Sequence, residues 1–139
     1  MKRNILITGG AGFIGSHTCV ELLNEGEEII VMDNFYNSNS KALDGIKKIT
    51  GKDFRFYEAD MLDMPAVERI FDENDIEQVI HFAGYKCVPE SVKKPLVYYS
   101  NNLRGTFNIL EMMKKYGCTK FVFSSSATVY GIPESVPVY

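Results

Sequence analysis

Thr8-Gly9-Gly10-Ala11-Gly12-Phe13-Ile14-Gly15 follows directly on Asn4-Ile5-Leu6-Ile7 and opens into a stretch of amphipathic spacing that ends near Asn24. The short apolar run suits a parallel strand buried on both faces. A glycine turn between a first strand and a first helix is the usual way a dinucleotide pyrophosphate is held. Gly9 permits the tight turn, Gly12 lets the backbone approach the phosphates, and Gly15 lets the helix lie close to the strand. The helix N-terminus then offers unpaired N–H groups and a partial positive charge. That charge contributes only about 0.3–1 kcal/mol at an exposed site, so backbone hydrogen bonds must supply most of the grip.

The glycines alone do not separate this reading from an ordinary capped turn; the surrounding sequence does. A second apolar run, Ile29-Ile30-Val31-Met32, ends in Asp33, eighteen positions after Gly15. A dinucleotide fold places there the carboxylate that accepts hydrogen bonds from the adenosine ribose. A carboxylate at that point also repels a 2′-phosphate, which favours NAD over NADP. Strand, turn, helix and carboxylate agree on one cofactor.

The chain has 139 residues, enough for one core of ordinary size. Its 45% hydrophobic and 24% charged residues are those of a globular domain. A formal net charge of −3 argues against nucleic-acid partners, which require a basic face. No apolar run approaches a membrane span, and glycines and an acidic residue follow the first strand too soon for a signal peptide. Cys19, Cys87 and Cys118 are widely spaced and odd in number, which reads as reduced cytoplasmic thiols. His17 and His81 have no companions at metal-ligand spacing, so no metal is expected.

Strand and helix patterns alternate along the whole chain and predict an α/β fold with a doubly wound parallel sheet, the Rossmann arrangement. Strands are expected at 4–8, 28–32, 54–58, 78–82 and 120–124, and helices at 12–24, 41–49, 64–73 and 96–116. In the last helix Leu96, Tyr99, Leu103, Phe107, Leu110 and Met113 recur at helical spacing. Pro95 suits its first turn, and Gly117 suits its C-cap after Lys114 and Lys115. Gly105 interrupts it at about 1 kcal/mol relative to alanine, a sign of close packing. Residues 131–139 read as a loop. Five strands are countable where such a domain normally has six. The expectation is therefore one NAD-binding domain over 1–139, the amino-terminal part of a longer enzyme whose substrate domain is missing.

Ligands of an open α/β sheet bind beyond the carboxyl ends of the strands, and the candidate residues gather there. Asn34, Asn37 and Ser38 follow Asp33. Asp60 and Met61 follow the third strand: Asp60 is placed either to accept from an adenine amino group or to cap the next helix, and Met61 to pack on the ring. His81-Phe82-Ala83-Gly84-Tyr85-Lys86 follows the fourth, with small residues where backbone meets a ribose. Lys86 suits ribose or phosphate, or simply solvent. Asn101 and Asn102 lie among apolar neighbours, so at least one should tie the long helix to a loop or strand. Ser124-Ser125-Ser126-Ala127-Thr128 follows the fifth strand. Its hydroxyls suit a sugar hydroxyl or a developing oxyanion, or equally a cap or ST-turn.

Four strings together resemble the extended short-chain dehydrogenase/reductases that act on nucleotide sugars, and within them the UDP-sugar 4-epimerases. They are residues 8–15, residues 81–86, Glu90-Ser91-Val92-Lys93-Lys94-Pro95-Leu96 with Tyr98-Tyr99, and residues 123–131. The resemblance spans all 139 residues. It implies a Rossmann domain with a smaller carboxyl-terminal domain for the UDP-sugar, and interconversion of UDP-glucose and UDP-galactose through a 4-keto sugar. NAD would be regenerated in every cycle and held as a resident cofactor. Gly9, Gly12, Phe13 and Ile14 would line the pyrophosphate. Asp33, Asn34, Asn37 and Ser38 would surround the adenosine ribose and phosphate, and Asp60 and Met61 the adenine. Phe82, Ala83, Gly84 and Lys86 would flank the pyrophosphate and nicotinamide side, and Asn101 and Ser124 would complete the NAD site. Ser126 would be the catalytic serine on the sugar 4-hydroxyl, with Lys86 and Thr128 as further substrate contacts. The resemblance also implies that the parent enzyme is a homodimer formed through the long helix and the helix that follows it in the family, so weakened dimerisation is expected of these 139 residues.

The family pattern departs at one point. Its catalytic Tyr-x-x-x-Lys pair has no counterpart after Ser126: Tyr130 has Glu134 four positions on, and Tyr139 is the last residue. Related dehydratases need an Asp-Glu pair where this chain has Ala127-Thr128, which disfavours them. Enzymes acting on N-acetylated sugars, nucleotide-sugar decarboxylases and a non-catalytic NAD-binding module remain as alternatives. The 139 residues alone are expected to show no epimerase turnover. A coupled assay of UDP-galactose conversion by the purified chain checks this, and measurable turnover would refute it.

Overall fold

The structure, a computed structural model, describes residues 4–132 together with 134 and 135. The predicted closing loop thus falls partly on residues 133 and 136–139, which lie outside the described residues, as does Tyr139. Five strands pair in parallel: β1 Asn4–Thr8, β2 Glu28–Asp33, β3 Arg55–Glu58, β4 Ile76–His81 and β5 Lys120–Phe123. Their order is β3-β2-β1-β4-β5. The helices are α1 Phe13–Asn24, α2 Lys41–Thr50, α3 Met64–Asp72, α4 Val88–Lys93, α5 Pro95–Tyr99 and α6 Gly105–Tyr116. A π turn, Ser100–Arg104, joins α5 to α6, and a 3₁₀ turn, Ala127–Tyr130, follows β5.

Alternation along the central strands sends side chains to both faces. Ile5, Ile7, Ile29 and Val31 pack on Cys19 and Leu23 of α1 and on Leu43 and Ile46 of α2. Leu6, Ile30, Met32 and Val79 pack on Val67, Ile70 and Phe71 of α3 and on Ile109, Met112 and Met113 of α6. Both faces of β1 and β2 are therefore covered, which explains their unbroken apolar runs. The doubly wound parallel sheet expected from the sequence is present.

The boundaries differ in detail. β2 runs on to Asp33, β3 starts at Arg55, and β4 starts at Ile76 and stops at His81. The helix α4 was not foreseen; it is only six residues long, with Pro89 in its first turn, too short for a periodic signal. The expected single helix over 96–116 is α5, the π turn and α6 in succession. The stripe read from its sequence is mostly not its buried face: Leu96 is 81% exposed and Phe107 57%, and of that stripe only Met113 is buried. The inner face carries Tyr98, Asn101, Gly105, Asn108, Ile109 and Met112 instead. Small and amide side chains occupy it because α6 lies close to the segment after β3. A Cβ on Gly105 would stand 2.5 Å from Met61 Cγ, and Asn108 Nδ2 donates to the Met61 carbonyl at 2.8 Å. Gly117 ends α6 at φ +73°, the left-handed cap. Cys19, Cys87 and Cys118 are free thiols, and burial pushes Cys19 up to about 12. Among the described residues no helix is long and apolar enough to cross a membrane.

Gly15 fixes how closely α1 approaches β1. An added Cβ would fall on the Gly9 carbonyl oxygen and within 2.8 Å of Gly10 Cα, both backbone atoms that cannot swing aside. Gly45, inside α2, has nothing within 4 Å of an added Cβ. Gly15→Ala is therefore expected to destabilise the fold by about 3 kcal/mol through overpacking. Gly45→Ala should stabilise it by about 0.5–1 kcal/mol. Urea denaturation of the two variants checks both signs.

Candidate functional site

The strand order places β1 between β2 and β4, so the loops leaving β2 and β4 diverge from its carboxyl end and leave a crevice there. The crevice is an open cleft of about 230 Å³. Of the residues predicted for the cofactor, Gly9, Gly12, Phe13, Ile14, Asp33, Asn34, Asn37, Met61, Phe82, Ala83, Gly84, Lys86 and Asn101 line it. Ser38, Asp60 and Ser124 do not, nor do Ser126 and Thr128.

Each wall has a local cause. Gly9 takes φ +69°, and a Cβ there would stand 2.7 Å from the Ala83 nitrogen, so the glycine turn lies against the loop after β4. Gly12 caps α1 without any side-chain hydrogen bond. The first-turn N–H groups, which have no partner inside the helix, belong to residues that line the cleft.

Asp33 ends β2 and is 8% exposed. Its Oδ2 accepts the Ala11 N–H at 3.0 Å. Its Oδ1 accepts the Phe35 N–H at 2.9 Å and the Ser38 hydroxyl at 2.8 Å. A carboxylate has about four acceptor positions, so one remains for a hydroxyl in the cleft. Ser38 thus braces Asp33 from behind the cleft wall. Asp60 is also a brace: Oδ2 accepts Asn34 Nδ2 at 2.9 Å, and Oδ1 accepts the Leu62 N–H at 2.8 Å. It is not the cap of α3; Asp63 holds that position through the Ala66 N–H at 3.3 Å.

His81, 1% exposed at the end of β4, is held from both sides. The Thr106 hydroxyl donates to the Asn102 carbonyl at 2.6 Å, so Thr106 Oγ1 accepts from His81 Nε2–H at 3.0 Å. Nδ1 is then the acceptor for the Thr8 hydroxyl at 2.7 Å, and Thr8 Oγ1 accepts the Ala83 N–H at 3.4 Å. The chain runs through one tautomer from the cleft wall to the π turn. There the Asn102 side chain receives the Tyr85 N–H at 2.8 Å and donates to the Tyr85 carbonyl at 2.9 Å. The tie between the long helix and a loop is made by Asn102, while Asn101 lines the cleft and donates to Asn102 Oδ1 at 2.9 Å.

Beyond β5, the Ser126 and Thr128 hydroxyls lie 2.7 Å apart, and Ser126 caps the 3₁₀ turn through the Thr128 N–H at 3.3 Å. Both are exposed. Among the cleft residues given no role in the sequence are two aromatics, Tyr36 and Tyr85. Their only signal is an aromatic in each of the loops that leave β2 and β4.

The profile of the NAD dependent epimerase/dehydratase family matches residues 5–138. The chain belongs to this family. It is 66% identical over 134 residues to the UDP-glucose 4-epimerase of Bacillus subtilis (strain 168), covering 96% of this chain and 40% of that protein. A crystal structure of UDP-glucose 4-epimerase from Bifidobacterium longum in complex with NAD+ and UDP is 52% identical, with TM-score 0.93 over 97% of this chain and 40% of that one. The UDP-Glc/GlcNAc 4-epimerase of Campylobacter jejuni is 38% identical, with TM-score 0.88 over 96% of this chain and 40% of that one. The chain therefore spans about two fifths of the relatives it matches.

Burial, with a smaller contribution from the Lys86 charge, lowers His81 from 6.5 to about 4. Above pH 6.5 the imidazole is neutral whether the chain is folded or not. Below it the unfolded chain takes up a proton that the fold refuses, so stability falls as pH drops from 6.5 towards 4. The full loss is about 3 kcal/mol at 1.36 kcal/mol per unit. Urea midpoints between pH 7 and 5, above the usual carboxylate range, check this; a flat profile would contradict it.

Proposed function

We propose that this chain is the NAD-binding part of a cytoplasmic UDP-glucose 4-epimerase, folded as one domain over residues 1–139. The observation that carries the reading is the Asp33 carboxylate, fixed by three protein donors with one acceptor position left at the cleft. The cradle fits a dinucleotide: Cβ atoms at Gly9 or Gly15 would collide with neighbouring backbone, and α1 presents uncapped N–H groups to an anion. Bound NAD would supply reversible oxidation at sugar C4.

The chain's own residues would do the holding. Gly9, Gly12, Phe13 and Ile14 would face the pyrophosphate, Asp33 and Asn37 the adenosine ribose, and Met61 the adenine. Asn34, Ser38 and Asp60 would keep those groups in place. Phe82, Ala83, Gly84, Lys86, Asn101 and Ser124 would bound the nicotinamide side, with Lys86 also placed toward the substrate. Ser126 would hydrogen-bond the sugar 4-hydroxyl and ease departure of its proton, with Thr128 beside it. UDP-glucose and UDP-galactose are the proposed substrates, from the likeness to the Bacillus and Bifidobacterium enzymes. Leu96, Tyr99, Leu103 and Phe107 form an exposed apolar stripe along α5, the π turn and α6, which supports a homodimer of the parent enzyme through this helix.

Calorimetric titration tests the reading. The wild-type chain is expected to bind NAD more tightly than NADP. Asp33→Ala removes a charged acceptor worth about 1.5–3 kcal/mol, so NAD affinity should fall about 10- to 100-fold and the preference over NADP should narrow. Unchanged affinity in the variant would remove Asp33 from the site.

A further inference from the structure

One aromatic contact crosses the cleft. Tyr36 comes from the loop after β2 and Tyr85 from the loop after β4, strands on opposite sides of β1. Their rings stack with centroids 4.3 Å apart and planes 27° from parallel. Both residues line the cleft, and Tyr36 is 54% exposed, so the contact lies toward solvent.

Each ring is held from behind. The Tyr36 N–H donates to Asn34 Oδ1 at 3.0 Å, and Asn34 is tied to Asp60. Phe35 takes φ +54°, an uncommon conformation for a bulky residue. Its ring packs on Phe56 at 5.1 Å while the next residue, Tyr36, reaches Tyr85. Tyr85 has both backbone groups on the Asn102 side chain. Its ring meets Tyr98 edge-on at 5.5 Å, and the Tyr98 hydroxyl donates to Glu90 at 2.9 Å. Neither tyrosine has a role in the cofactor reading above.

We propose that Tyr36 and Tyr85 form an aromatic strap over the cleft, one that must part before a dinucleotide enters or leaves. The strap rests on the NAD reading and adds retention to it. A strap slows entry and release together, whereas a ring that merely touches the bound molecule slows release alone.

Stopped-flow fluorescence with NADH as the probe separates these cases in the wild-type chain and its variants. Tyr36→Ala is expected to raise the association and dissociation rate constants together, each about 2- to 10-fold, the scale of a lost aromatic pair. Tyr36→Phe keeps the ring and loses the hydroxyl that, after Tyr98 and Lys94, helps hold Glu90 low, so its rates should stay nearer to wild type than those of Tyr36→Ala. The Tyr36→Ala/Tyr85→Ala double variant should be no faster than either single one, because both remove the same contact. Faster dissociation with unchanged association makes Tyr36 a ligand contact and overturns the strap, as do unchanged rates. A wild-type chain that binds no NADH overturns the NAD reading, and the strap falls with it.

Discussion

The site depends on one buried carboxylate at the end of the second strand. Asp33 draws the glycine turn toward itself through Ala11 and folds its own following loop through Phe35 and Ser38. A single side chain thereby sets the separation of two cleft walls that belong to different strands. Burying such a charge is costly unless its acceptor positions are filled, and here backbone and hydroxyl donors fill most of them. Behind it, Gly9 and Gly15 let three backbone segments meet at distances that no side chain would permit.

The other wall is organised by a neutral histidine. His81 donates on one ring edge and accepts on the other, so it can join Thr8 to Thr106 only in one tautomer. Through Thr106 and Asn102 the same chain reaches the backbone of Tyr85. The loop after β4 is thus registered against both β1 and the long helix. The cleft is bounded by two separate networks, one centred on a charge and one on a fixed proton position.

Much of this was legible in the sequence, and for identifiable reasons. Buried parallel strands carry unbroken apolar runs, and the run ending in Asp33 marked both an element and its functional terminus. The glycine spacing marked the turn because steric exclusion leaves few substitutes. What escaped the sequence were contacts between distant residues. Ser38 was read beside a ligand, and Asp60 either beside one or as a helix cap; the structure adds their hydrogen bonds to Asp33 and Asn34, because a polar group at a strand end can serve a neighbouring loop as well as a cofactor. The outward stripe from Leu96 to Leu110 was legible as a stripe but not as to which side it faced. Its inner counterpart includes Gly105, whose interruption of the helix pointed to close packing, and Asn108; what the sequence did not show is that both lie against the Met61 segment. Tyr36 and Tyr85 carried no spacing signal, since they meet across the crevice from positions 49 apart in the chain.

The π turn has a consequence for how this chain tolerates change in length. One extra residue per turn there sets the angular phase of α5 against α6. Removing a single residue between positions 100 and 104 would let that turn close as α-helix with α5 and α6 still nearly in phase, whereas removing one inside α6 would rotate the two sides by about 100° relative to each other. What the deletion would disturb is local: Asn102 sits in the turn, and its hold on the Tyr85 backbone depends on the extra residue. The segment thus stores one residue of slack in an otherwise continuous helix, and changes of length there should be felt at the loop after β4 rather than along α6.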